Sequence, residues 1–123
     1  MRSSARWTIW LSYWALLLTL THLPAQRVVH IPGQWLDEVV HGLLFVLLSL
    51  LGCWAVPVLG WRSSIGLILG LVGYAAVDEW TQAWVGRTPD SGDWIADASG
   101  VVIGAGAYHA SVWLARRNHH LAG

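Results

Sequence analysis

At 123 residues, with 55% hydrophobic side chains, 11% charged ones and no lysine, the chain falls well short of the roughly 25% charge of a soluble domain and reads as an all-α integral membrane protein. A formal net charge of zero gives no footprint for a nucleic-acid partner, and the single cysteine, Cys53, excludes an internal disulfide. Ten tryptophans against one phenylalanine suit the headgroup level of a bilayer, where an indole ring keeps one edge wet.

Crossing a bilayer takes about 20 apolar residues. Four stretches approach that: Trp7 to Leu23, Leu36 to Leu59, Ile65 to Trp84 and Trp94 to Leu114. The first follows Arg2 and Arg6, as a secretion signal would, but its apolar run is long and Thr21-His22-Leu23-Pro24-Ala25 offers no small-x-small cleavage site, so a retained span is expected. Pro24, Pro32 and Gly33 punctuate the first connection, Gly60-Trp61-Arg62-Ser63-Ser64 the second, and Gly86 to Gly92 with Pro89 the third. With no internal repeat or second domain, residues 1–123 are expected to form one bundle of four transmembrane helices. Arg2, Arg6, Arg62, Arg116 and Arg117 lie on one side, against Arg27 and Arg87 on the other, which predicts both termini in the cytoplasm.

That orientation puts every acidic residue at the outer face, in Asp37 to Glu38 and Asp78 to Asp97. A carboxylate beside hydrocarbon is costly and is more often kept for function than tolerated by accident. Residues three or four apart share a helix face, so Asp37 with His41, Glu79 with Gln82, and Asp93 with Asp97 form three polar edges at one depth. Below the last pair, Gly100 and Gly104 make a small-xxx-small seam, so the acids of the fourth span are expected to point into the bundle. Gly66, Gly70 and Gly73 form a second small ridge roughly opposite Glu79, which predicts neighbours on both faces of the third span. Arg87 is the cation placed among these acids; a guanidinium can clamp a carboxylate or receive an anionic substrate group. His41 is a candidate proton carrier. Asp78, Asp90 and Glu38 read as solvated or capping residues, and Asp93 could cap the fourth span as well as serve a site. Trp80, Trp84 and Trp94 read as an interfacial belt that could also stack on a sugar ring, while His22, His30, His109, His119 and His120 carry no assigned role.

His41 with Asp37, Glu79, Asp93 and Asp97 supplies ligand types suited to zinc, manganese or magnesium. No recognised spacing such as H-E-x-x-H accompanies them, so neither a metal nor another cofactor is assigned, and no Gly-x-Ser-x-Gly, phosphate loop or dinucleotide fingerprint is present.

The order Asp37-x-x-x-His41, Glu79-x-x-Gln82, Gly86-Arg87 and Asp93-x-x-x-Asp97-x-x-Gly100-x-x-x-Gly104 resembles the VanZ-like family of small bacterial membrane proteins. The resemblance covers Asp37 to Gly104. Two positions depart from it: Asp97 stands where asparagine is usual, and Glu38 where lysine is frequent. The resemblance implies a multi-span helical protein of the bacterial cytoplasmic membrane, in a family whose founding member is associated with resistance to teicoplanin. An outward polar pocket in such a protein, surrounded by membrane lipids, suits an envelope lipid, a glycan precursor or an amphiphilic antibiotic as ligand. The enzymatic alternative is a hydrolase or transferase with Glu79 or Asp93 as base, His41 as proton carrier and Arg87 holding an anionic group, and with Asp37, Gln82 and Asp97 binding ligand. A proton-coupled carrier is disfavoured because the inner halves of the spans lack polar relays. A third alternative is a structural bundle whose acids and Arg87 merely pair.

Overall fold

The computed structural model describes residues 3–24, 34–56 and 60–121; expectations for Arg2, Arg27, His30, Pro32, Gly33 and residues 57–59, and for the side chains of His119 and His120, lie outside the described residues. Four long helices run α1 (Ser3–Thr21), α2 (Gln34–Ala55), α3 (Trp61–Thr81) and α4 (Ser91–Leu121), with a 3-10 turn, Gln82–Val85, closing α3. No strand occurs among the described residues. Helix α3 begins at Trp61 rather than after a loop through Ser64. Gly60 is extended (φ −62°, ψ 158°) and its carbonyl accepts the Ser64 N–H at 3.1 Å, so Trp61 to Ser64 is a first helical turn. Helix α4 continues past Leu114 through Arg116 and Arg117, where hydropathy ends but helix-compatible residues do not.

Side-chain contacts fix the directions. Near the start of α1, Arg6 stacks over the Trp54 ring at 5.2 Å. Farther along, Trp10 Nε1 donates to the Leu48 carbonyl at 3.1 Å and Tyr13 donates to the Leu44 carbonyl at 2.9 Å, so α1 and α2 are antiparallel. Gly52 makes room for this contact, because a Cβ there would lie 3.1 Å from the Trp10 indole. Helices α2 and α4 run the same way and almost touch: a Cβ on Gly100 would overlap the Gly42 carbonyl oxygen, and one on Gly104 the Val46 carbonyl oxygen. The expected small-residue seam therefore packs against α2, and Ser49 ties it by donating to the Val101 carbonyl at 2.8 Å. Helix α3 alternates in turn, with Ser64 meeting His109 at 2.9 Å near its start and Thr81 meeting His22 at 2.9 Å at its end. The end of α1, the start of α2, the end of α3 and the start of α4 consequently gather at one end of the molecule.

Trp10, Leu17, Phe45, Leu48, Leu71 and Val101 fill the centre, with Tyr74 edge-on to Trp14 at 4.9 Å. The Gly66, Gly70 and Gly73 ridge differs from expectation: a Cβ at any of them meets nothing within 4 Å, so α3 packs on one face and turns this ridge outward. Burial is inverted relative to a soluble protein. Leu11 on α1, Leu43 on α2, Leu69 on α3 and Ile103 on α4 are each more than half exposed, while His41, Asp78, Glu79, Asp93 and Asp97 are buried. Trp35–Ala55 and Ser91–Asn118 are long and apolar enough to cross a membrane.

Candidate functional site

The polar end contains two carboxylate and histidine clusters built in different ways. In the first, Asp78 is 1% exposed. Its Oδ1 accepts the Tyr74 hydroxyl at 2.9 Å and the Thr21 hydroxyl at 3.2 Å, its Oδ2 accepts Gln82 Nε2 at 3.3 Å, and His22 Nδ1 stands 3.7 Å from Oδ1. The solvated or capping role expected of Asp78 is thus replaced by a buried tie between α1 and α3. Tyr74 and Gln82 lie four residues either side of it, so that much was readable from helical spacing. Thr21 and His22 were not, since only the fold brings the end of α1 there.

Gln82 connects this cluster to Glu79, donating to Oε2 at 3.3 Å. The other oxygen of Glu79 accepts the Asp90 N–H at 2.6 Å and so fastens the link between α3 and α4. Asp90 caps α4: its Oδ1 accepts the Gly92 N–H at 2.8 Å and its carbonyl the Trp94 N–H at 3.3 Å. With Asp90 in that position, Asp93 is not the cap, and it turns inward at 8% exposure.

The second cluster joins α2 to α4. Ligand-capable atoms of Asp37, His41 and Asp93 all lie within 4.8 Å of one another. His41 Nδ1 faces Asp97 Oδ1 at 3.5 Å, long for a hydrogen bond. Neither Asp97 oxygen nor His41 Nδ1 has a hydrogen-bond partner among the described residues. The glycine seam is the cause of this crowding: Gly42 and Gly100 bring the two backbones into contact, and His41 and Asp97, one position and one turn away, are pressed together above it.

Arg87, expected within direct or water-bridged reach of Glu79, Asp93 or Asp97, makes a direct side-chain bond to a backbone carbonyl. Gly86 adopts a left-handed φ of +78°, which only glycine takes without strain, and turns the chain back so that Arg87 N–H reaches the Gln82 carbonyl at 3.2 Å. The guanidinium Nη1 then donates to the Thr21 carbonyl at 3.2 Å, at the negative end of α1. It remains within electrostatic range of Asp93. Beside Glu79, a cavity of about 280 Å³ opens between α3 and α4, lined by Ala76, Trp80, Pro89 and Trp94 among others. Sequence spacing identified Glu79 and the two indoles but not that they share one groove.

A helical chain that exposes leucine and buries aspartate, with two helices able to cross a bilayer, groups with membrane proteins. A family profile described as VanZ/LLP1 matches residues 3–114, and the chain belongs to that family. Neither the curated proteins nor the solved structures yield a match. The matched region includes both clusters, the groove and the glycine seam.

Proposed function

We propose that the chain is a four-span protein of the bacterial cytoplasmic membrane, termini inside, whose outward polar end binds an amphiphilic envelope molecule: a lipid, a glycan precursor or an antibiotic of that character. The observation that carries this reading is the groove of about 280 Å³, lined by two acidic residues, Glu79 and Asp90, together with the indoles of Trp80 and Trp94. A carboxylate recognises hydroxyl or ammonium donors, and indole faces pack on sugar rings and alkyl chains. Exposed apolar side chains on all four helices support four spans, although only two helices meet the length and hydropathy requirement by themselves.

Two measurements test it. Native mass spectrometry of protein extracted from membranes is expected to find a bound amphiphile that is lost in Glu79→Gln and Trp94→Ala; the same bound species in both variants contradicts the groove. Single cysteines at Ser91 and Ser111 in a Cys53→Ala background are expected to react with an impermeant thiol reagent in intact cells only at position 91. The reverse pattern contradicts the orientation. A hydrolase or transferase is the second reading, favoured by His41 lying against Asp97 and Asp93. It requires turnover of the bound amphiphile that disappears in His41→Gln while binding persists.

A further inference from the structure

We propose that Asp37, His41 and Asp93 form a site for one divalent transition-metal ion between the starts of α2 and α4, with Asp97 as the residue that orients His41. Their ligand atoms lie within 4.8 Å of one another. Bonds from zinc to nitrogen or oxygen run about 2.0–2.2 Å, which in tetrahedral geometry separates two ligands of one ion by about 3.4 Å. Side-chain rotation that moves the ligand atoms by about an ångström closes the set. One imidazole with two carboxylates is a mixed nitrogen and oxygen donor set, suited to zinc or manganese rather than to calcium, which takes oxygens alone.

A second observation, independent of that spacing, points to a cation. Asp97 is fully buried, and both its oxygens, like His41 Nδ1, lack a hydrogen-bond partner among the described residues. A buried charge left in this way is costly unless an opposite charge stands near it. The groups acting on Asp97 are first His41 from α2, then Asp78 from α3 and Asp93 from its own helix, so one imidazole faces several carboxylates. Arg87 is tied to the Thr21 carbonyl. A dication held by Asp37, His41 and Asp93 supplies the missing positive charge to all these carboxylates at once. Histidine ligands commonly have one ring nitrogen held by a carboxylate, which fixes the ring and strengthens the ligand. With Nδ1 turned to Asp97, Nε2 is the nitrogen assigned to the ion. Asp37, only half-buried at the first turn of α2, marks the side from which the ion enters.

This inference does not depend on what the groove beside Glu79 binds, and its test reads ion binding alone. Full-length protein in lipid nanodiscs, stripped with chelator, is titrated with Mn²⁺ while the free-ion electron paramagnetic resonance signal is followed, with Zn²⁺ as competitor. One saturable Mn²⁺ per chain is expected, displaced by Zn²⁺. His41→Gln and Asp93→Asn are each expected to weaken it more than tenfold, and Asp97→Asn about tenfold through lost orientation. His22→Gln, in the other histidine and aspartate pair, is expected to leave it unchanged. Wild-type protein provides a reading that needs no variant: bound Mn²⁺ should show hyperfine coupling to one imidazole nitrogen. Absence of saturable binding, of that coupling, or of any difference between His41→Gln and His22→Gln overturns the site.

Discussion

Two buried aspartates, each beside a histidine, sit at the same end of this molecule and are treated in opposite ways. Asp78 receives donors from Thr21, Tyr74 and Gln82 on two helices, whereas Asp97 has no hydrogen bond to either oxygen among the described residues. Full satisfaction of a buried carboxylate makes it a tie, and here it joins α1 to α3. Asp97, pressed against an imidazole by a glycine seam and without donors among the described residues, is the carboxylate that the proposed metal site would use. The longer of the two histidine pairs, His22 to Asp78 at 3.7 Å against His41 to Asp97 at 3.5 Å, is therefore the one built into a structural tie.

The comparison can be broken most severely by opening the seam. Gly100→Leu drives a side chain into the Gly42 carbonyl, which is backbone and cannot rotate away, so recovery of monodisperse protein on size exclusion should fall to near nothing. Gly70→Leu, whose Cβ meets nothing within 4 Å, should be recovered like the wild type. Equal recovery of both would mean that the seam does not hold His41 against Asp97. A smaller effect is expected at the tie between α1 and α3. Asp78→Ala strands the Thr21, Tyr74 and Gln82 donors and should cost roughly 3 kcal/mol, read as a lower thermal midpoint in detergent. A loss below about 1 kcal/mol would show that those bonds add little beyond what solvent supplies. The smallest change is expected for Arg87→Ala, which removes one partly buried bond to the Thr21 carbonyl and should cost about 1 kcal/mol while leaving membrane insertion intact.

Much of this end of the molecule was legible in the sequence because helical spacing is local. Asp37 with His41, Glu79 with Gln82, and Gly100 with Gly104 each lie three or four residues apart, and each pair shares a face in the structure's contacts. What spacing could not supply was the pairing of helices. It could not show that Gly100 meets Gly42, that Thr21 reaches Asp78 across 57 positions, or that Glu79 bonds the Asp90 backbone. Charge reasoning set Arg87 among the carboxylates, and it lies within electrostatic range of Asp93, but that reasoning did not anticipate its direct bond to the Thr21 carbonyl at the end of α1. Hydropathy also ended the fourth span at Leu114, since it measures lipid solubility, whereas helix α4 persists through polar residues to Leu121.

The most direct measurement sets the two aspartates side by side: thermal unfolding of Asp97→Asn and Asp78→Asn in one detergent, with chelator present so that bound ions cannot offset the charge. Removing the charge of a buried carboxylate that has no hydrogen-bond donor among the described residues should stabilise, and disturbing a satisfied one should destabilise. Asp97→Asn is therefore expected to melt above the wild type and Asp78→Asn below it. If Asp97→Asn instead melts as far below the wild type as Asp78→Asn does, both carboxylates are structural ties, and the claim that the cluster on α2 and α4 is held for a ligand is contradicted.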